Sequence, residues 1–187
     1  MERLFIALPM SGEVKKTLSA VYDSLAPWKK QLRRVNPENY HVTVSFLGEC
    51  DESLTAQVRG EFNAVTVPDF PIPFRVEGMG AFPNLQRPNV IWCGIDTDYW
   101  AVSMLANTVR DKMELCGFER DRKKFSPHLT VARVRKADVL DPKFVELCEM
   151  QKAVYYTEGT FDRLTLYSST LTPGGPVYEV IAENIFR

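Results

Sequence analysis

The sequence predicts an α+β fold of two pseudo-symmetric lobes, each an antiparallel sheet with helices, with a cleft between them. Three observations carry this. Strand and helix patterns alternate early in the chain and hairpin patterns dominate its end, which argues against a parallel sheet. The chain holds two histidines, His41 and His128, and both stand in the same four-residue word, His-Val-Thr-Val at 41–44 and His-Leu-Thr-Val at 128–131. Each word follows an apolar segment at the same interval: His41 lies 36 residues beyond Phe5 of FIAL, and His128 lies 36 beyond Trp92 of WCGI. Each interval holds strand, helix, basic loop and strand, as two similar units would.

The elements follow in order. Residues 3–8 are a short apolar run of β formers closed by Pro9. Ser11 is placed to cap a helix whose Val14, Leu18, Val21, Tyr22 and Leu25 recur at helical spacing, and Pro27 ends it. Residues 28–37 are basic and turn at Asn36-Pro37. Residues 40–47 alternate as a strand, with Gly48 after it. Asp51 caps a second helix reaching about Val65. Strands are predicted over 71–79 and 89–96, joined by GAFPNLQRP. Asp98 opens a third helix with a stripe of Val102, Leu105, Val109, Met113 and Cys116, and Gly117 suits the residue after its C-cap. A charged loop leads to a strand over FSPHLTVARV, then a short helix over 141–150. The end reads as a hairpin about Pro173-Gly174-Gly175-Pro176.

Length suits one bilobal domain over residues 1–187, large enough to fold without staples. Net charge is −1, so a protein that coats nucleic acid through its overall field is excluded, and an anionic partner must meet a local site. Cys50, Cys93, Cys116 and Cys148 form no C-x-x-C and no zinc-finger spacing, which favours reduced structural thiols over a metal site. The first residues lack a basic start and a long apolar run, and no segment approaches the ~20 apolar residues of a membrane span. The expectation is a cytoplasmic protein without membrane or metal. A cleft built within one chain leads us to expect a monomer.

On a strand, side chains two apart share a face. His41 and Thr43 therefore point one way, Val42 and Val44 the other; His128 and Thr130 oppose Leu129 and Val131 in the same manner. With the aliphatic pairs in the cores, two imidazoles and two hydroxyls can surround a volume the size of a phosphate. Imidazole titrates near neutrality, so one ring can accept a proton while the other donates one. Paired general acid–base catalysis follows, each partner contributing roughly 10²–10⁴ in rate, with Thr43 and Thr130 holding the non-bridging oxygens. No cofactor is required. A single strand histidine followed by Thr is ordinarily just a half-buried polar pair. Threonine fills 12 of 187 positions, so its recurrence two residues after both histidines points to a shared site.

At these residues the sequence resembles the two-histidine phosphoesterases, and within them the RNA 2′,3′-cyclic phosphodiesterases, also called 2′-5′ RNA ligases. RLFIALP at 3–9, PENYHVTVSFLGE at 37–49, GMGAFPNLQRPNVIW at 78–92, FSPHLTVARV at 125–134 and LTLYSSTLTPGGPVYEV at 164–180 match that family in order, over almost the whole chain. The resemblance implies the bilobal fold and hydrolysis of a terminal 2′,3′-cyclic phosphate to a 2′-phosphate, with RNA ends or small nucleotides as partners. It also implies that ends can be joined through a 2′-5′ linkage without ATP. Carried over, His41 matches the proton donor to the leaving 3′ oxygen and His128 the base that activates water.

Arg133 stands where the family often places a cation for phosphate, yet simple alternation puts it opposite His128 unless the strand bulges. Phe46 and Phe125 flank the two words. Either could stack on a base; Phe46 is read as a core residue, and Phe125 is left between core and site. Lys29, Lys30, Arg33 and Arg34, and Arg122, Lys123 and Lys124, form two basic loops before the two words, either solvated charge runs or rims of one cleft that track RNA. Asn89 stands where the family commonly has a second basic residue after Arg87-Pro88. Rival readings are a phosphodiesterase of small cyclic nucleotides or 2′-5′ oligoadenylate, and a nucleotide-binding module without turnover.

Overall fold

Nine strands and four α-helices form among residues 1–135 and 140–187, the part of the chain that the computed structural model describes. Strands β1 (Glu2–Pro9), β3 (His41–Cys50), β8 (Arg163–Thr172) and β9 (Gly175–Ile185) make one antiparallel sheet, in the order β3-β1-β8-β9. Strands β2 (Leu32–Arg34), β4 (Ile72–Phe82), β5 (Val90–Thr97), β6 (His128–Val134) and β7 (Tyr155–Phe161) make the other, β2-β6-β5-β4-β7, also antiparallel. The α+β expectation is met, with one histidine word at the start of β3 and the other at the start of β6.

Helices α1 (Gly12–Asp23), α2 (Glu52–Asn63), α3 (Tyr99–Leu115) and α4 (Pro142–Gln151) begin where short polar side chains can accept from an orphan N–H of the first turn. The side chains of Ser11, Asp51 and Asp98 accept from the third residue on, Asp51 from the Leu54 N–H at 2.8 Å; Asp141 accepts from Lys143 at 2.9 Å. At the far end of α3, Gly117 takes φ 87°. Its N–H bonds the Glu114 carbonyl and the Phe118 N–H bonds the Met113 carbonyl, closing the helix as a Schellman motif.

The two lobes exchange helices. Helix α1 leaves β1 of the first sheet but packs on β6 and β7 of the second. Helix α3 leaves β5 of the second sheet but packs on α2 and β3 of the first. Strands β3 and β6 touch where the sheets meet. Each motif strand thus has its aliphatic face in the core, with Val42, Leu129 and Val131 fully buried and Val44 nearly so, and its polar face toward the other lobe.

Some expectations need correction. The equal spacing of 36 residues does not align the two units residue by residue. Ala7 pairs with Thr43 on β1 and β3, and Trp92 pairs with Thr130 on β5 and β6, so Trp92 corresponds to Ala7, two residues beyond Phe5. The different lengths of the intervening loops absorb the offset. Strand β2 lies within the basic segment, and β7 within a stretch to which the sequence assigns no element. Strand β7 lies at the sheet edge and is largely solvated, so it lacks the apolar alternation of a half-buried strand. Strand β3 runs on through Gly48, whose φ of 81° lets the chain continue pairing past an irregularity.

Candidate active site

His41 and His128 are oriented by the same local device. In each case Nδ1 lies beside the carbonyl oxygen two residues upstream, Asn39 for His41 at 2.7 Å and Ser126 for His128 at 2.8 Å. A carbonyl only accepts, so Nδ1 carries the proton and Nε2 is the free base nitrogen. The Thr43 hydroxyl donates to His41 Nε2 at 3.0 Å. Both histidines and both motif threonines line one cleft of about 660 Å³, so the two words do converge on one volume.

Aromatic rings hold the imidazoles on different supports. Phe5 lies 5.0 Å from the His41 ring and Tyr178 meets it edge-on at 5.6 Å, between centroids. Phe82 meets His128 edge-on at 4.9 Å, with Trp92 behind at 6.4 Å. Burial against its wall holds the His41 imidazole down at about 4; the Asn39 carbonyl opposes this, while the proximity of His128 and of the Arg133 guanidinium adds to it. In the free protein His41 is therefore neutral at neutral pH.

Arg133 reaches the cleft through a bulge. Ile91 pairs with Ala132 and Trp92 with Thr130, which leaves Val131 as the extra residue in β6. The extra residue shifts alternation by one and returns Arg133 to the face of His128, contrary to the straight-strand expectation. The first lobe repeats the irregularity at the same place: Ile6 pairs with Ser45 and Ala7 with Thr43, leaving Val44 unpaired in β3. The shared Val of the two words is thus the bulge residue in both strands. In each strand the fifth residue after the histidine, Phe46 or Arg133, turns into the cleft.

The aromatic assignments are corrected by the same geometry. Phe46, read as core, is 65% exposed and lines the cleft. Phe125, offered as a substrate contact, is 7% exposed and belongs to the core cluster; it does not line this cleft, and only its edge reaches a neighbouring groove beside His128. Its strand-like segment forms no ladder before His128, which lets the ring turn inward instead of alternating with the motif.

Of the basic loops, Arg33 and Arg34 line this cleft together with Arg3 and Arg133. Arg34 is held over the Tyr22 ring at 4.7 Å and bonds the Ser19 carbonyl at 3.2 Å. Lys123 and Lys124 rim a second groove that shares Thr43, Phe46 and His128 with the first. Lys29, Lys30, Arg122 and Asn89 line neither groove. Sequence reasoning missed Asn39, Ser126 and Tyr178. The i−2 carbonyls leave no side-chain signature, and Tyr178 arrives from β9, far along the chain.

The family profile described as LigT like Phosphoesterase matches residues 8–92 and 101–178. A protein of Archaeoglobus fulgidus named RNA 2′,3′-cyclic phosphodiesterase is 34% identical, covering 95% of this chain and 96% of its own. One of the same name from Thermotoga maritima is 35% identical, covering 99% and 96%. The crystal structure of a Thermus thermophilus protein matches with a TM-score of 0.81 at 28% identity, over 99% of this chain and 98% of that one. The fold is also that of E. coli LigT complexed with 3′-AMP, TM-score 0.77 at 21% identity, over 99% and 98%. With both histidine words inside the matched segments and relatives alike over nearly its whole length, the chain belongs to the LigT like phosphoesterase family.

Proposed function

We propose that this protein is an RNA 2′,3′-cyclic phosphodiesterase that opens a terminal cyclic phosphate to a 2′-phosphate with His41 and His128 as its acid–base pair. The observation that carries the reading is the pair of imidazoles in one cleft, each with Nδ1 pinned to a carbonyl and Nε2 left for proton transfer. His128 Nε2 takes a proton from water as the water oxygen bonds to phosphorus. His41, protonated at Nε2, gives its proton to O3′ as the P–O3′ bond breaks. Thr43 and Thr130 donate to the non-bridging oxygens, where negative charge concentrates. The guanidinium of Arg133 balances that charge.

His41 must gain a proton before it can give one. Burial keeps it neutral in the free protein. A phosphate anion in the cleft supplies the opposite charge that burial withholds, so substrate and proton arrive together. The Thr43 hydroxyl, which donates to the neutral His41 Nε2, then turns to phosphate oxygen.

The reading makes the partner an RNA end, the site complete within one chain and the setting the cytoplasm, with no metal in the reaction. The deciding experiment is product identification from an oligoribonucleotide ending in a 2′,3′-cyclic phosphate. A 2′-phosphate is expected, in EDTA as in buffer, and His41→Ala and His128→Ala should each lose turnover while remaining folded. A 3′-phosphate from the parent protein, or near-parental turnover in either variant, overturns the reading. The net charge of −1 favours a second reading, a small cyclic nucleotide as substrate; equal kcat/KM for mononucleotide and oligonucleotide would support it.

A further inference from the structure

Asn39 is bonded in three directions. It ends a single 3₁₀ turn, Pro37–Asn39, where its N–H donates to the Asn36 carbonyl at 2.8 Å and the Asn36 side chain accepts from the Glu38 N–H at 3.1 Å. Its carbonyl accepts from His41 Nδ1 at 2.7 Å. Its side-chain amide donates to the Pro176 carbonyl at 2.8 Å, 137 residues further along the chain. Pro176 belongs to β9 and stands two residues before Tyr178, whose ring meets the His41 imidazole edge-on. Strands β3 and β9 are the two edges of their sheet, with β1 and β8 between them, so no ladder joins the segment that carries His41 to the segment that braces it. In a flat sheet three strand spacings would hold them about 14 Å apart. Side chains bridge that span. Phe5 of β1 lies against both rings, 5.0 Å from His41 and 4.7 Å from Tyr178, and the Asn39 amide ties the two edges directly.

We propose that Asn39 is a positioning residue for His41 and holds the imidazole from both sides: its main-chain carbonyl fixes Nδ1, and its side-chain amide fixes the β8–β9 hairpin that presents Tyr178. The inference rests on the proposed acid–base pair and adds the group that aims its proton donor. A carbonyl at the end of a one-turn segment can swing with its peptide plane, and the bond to Pro176 stops that swing. An amide suits the task. It donates where proline leaves only an acceptor, and it brings no charge beside a ring that must pass between neutral and protonated forms. Among the described residues the Ser126 side chain, on the exposed residue whose carbonyl holds His128, makes no matching bond, so the tie belongs to the first lobe. Proton transfer to the leaving oxygen needs Nε2 in line with it, and a misplacement of about 1 Å costs on the order of 10²-fold in rate.

The test compares Asn39→Ala and Asn39→Leu, which remove the amide without and with its bulk, against Glu38→Gln, which breaks the Lys15–Glu38 ion pair of the same turn. Hydrolysis of a cyclic-ended oligonucleotide and nitrogen NMR of the two imidazoles are both read well below the unfolding temperature of each variant. In the Asn39 variants kcat should fall about 10- to 100-fold with KM near the parental value. The His41 signals should move from the Nδ1-protonated form towards a mixture of tautomers while the His128 signals stay in place. Glu38→Gln should keep parental turnover and both sets of signals. Parental turnover in both Asn39 variants, a loss of turnover with His41 unmoved, or equal movement of both histidines would each show that Asn39 does not aim His41; the inference then fails while the proposed activity stands. A parent protein inactive on the cyclic end sinks the proposed activity itself, which separates the two failures.

Discussion

Arg33 and Arg133 stand directly opposite one another on the neighbouring strands β2 and β6, and both side chains line the cleft. Cross-strand partners share a face, and like charges placed so are destabilising by roughly 0.2–1 kcal/mol. A fold that retains such a pair at the edge of a sheet has a use for it. An anion between the two guanidinium groups turns the repulsion into two charge-assisted hydrogen bonds. The relation also explains why β2 exists: three residues suffice to bring one arginine of the basic segment alongside Arg133.

Arg33→Ala should therefore leave stability in phosphate-free, low-salt buffer unchanged or raise it by up to about 1 kcal/mol. Added inorganic phosphate should then stabilise the variant less than the parent, since a ligand that binds only the folded state raises stability in proportion to its affinity. Thermal unfolding with and without phosphate checks both halves. Destabilisation of the variant in the absence of any anion would mean that Arg33 serves packing instead.

His41 links the site to pH. In the unfolded chain its imidazole titrates near 6.5. In the folded protein burial pushes it down to about 4. Between those values the unfolded state binds the proton and the folded state does not, so stability rises with pH through this window and is lost as pH falls through about 4. The contribution is up to about 3 kcal/mol. Denaturant midpoints at pH 4 and pH 7 should differ in the parent, and by less in His41→Gln. Imidazole NMR should show the His41 titration moving upward when phosphate or a nucleotide occupies the cleft; no movement would remove the coupling of substrate and proton on which the acid role depends.

The two histidine words were legible because their pattern is local. His, Thr and the intervening aliphatics obey a period of two, and that period alone sorts polar cleft from apolar core at His41–Val44 and His128–Val131. The period fails one residue later. Both valines at the end of the words bulge, so arithmetic on a straight strand sends Arg133 outward and Phe46 inward, and both are reversed. Bulges depend on what the partner strand presents, which no single stretch of sequence states. The same holds for Tyr178 from β9 and for Arg33 on β2, whose roles come from sheet order. For Phe125 the sequence is ambiguous, because an aromatic beside a motif suits core and ligand equally by type.

In the proposed mechanism Thr43 has two positions to serve, His41 Nε2 without substrate, as the structure has it, and a phosphate oxygen with substrate. Thr43→Val keeps shape and removes the donor. Losing one donor aimed at developing charge costs about 10²–10³ in turnover. Thr43→Ser restores the hydroxyl and should recover most of that rate. The measurement is single-turnover hydrolysis of a cyclic-ended oligonucleotide. Equal rates for the Val and Ser variants would show that the methyl group matters and the hydroxyl does not.

The site constrains Gly80 through Trp92. The two are cross-strand partners on β4 and β5, and the indole lies over the bare backbone of Gly80. A Cβ there would come within 2.5 Å of indole Cη2, closer than real side-chain contacts allow. The ring must move, and it stands behind His128, with Phe82 between them in the same aromatic group. Gly80→Ala should lower stability by about 1–3 kcal/mol as overpacking does. Because small displacements of a catalytic group are costly, turnover should fall by about tenfold or more even well below the unfolding temperature. Gly60→Ala is the control: its Cβ meets nothing within 4 Å on the exposed face of α2, so helix propensity should make it neutral or stabilising by up to about 1 kcal/mol. If Gly80→Ala unfolds earlier but turns over at the parental rate, Trp92 braces the sheet and not the histidine.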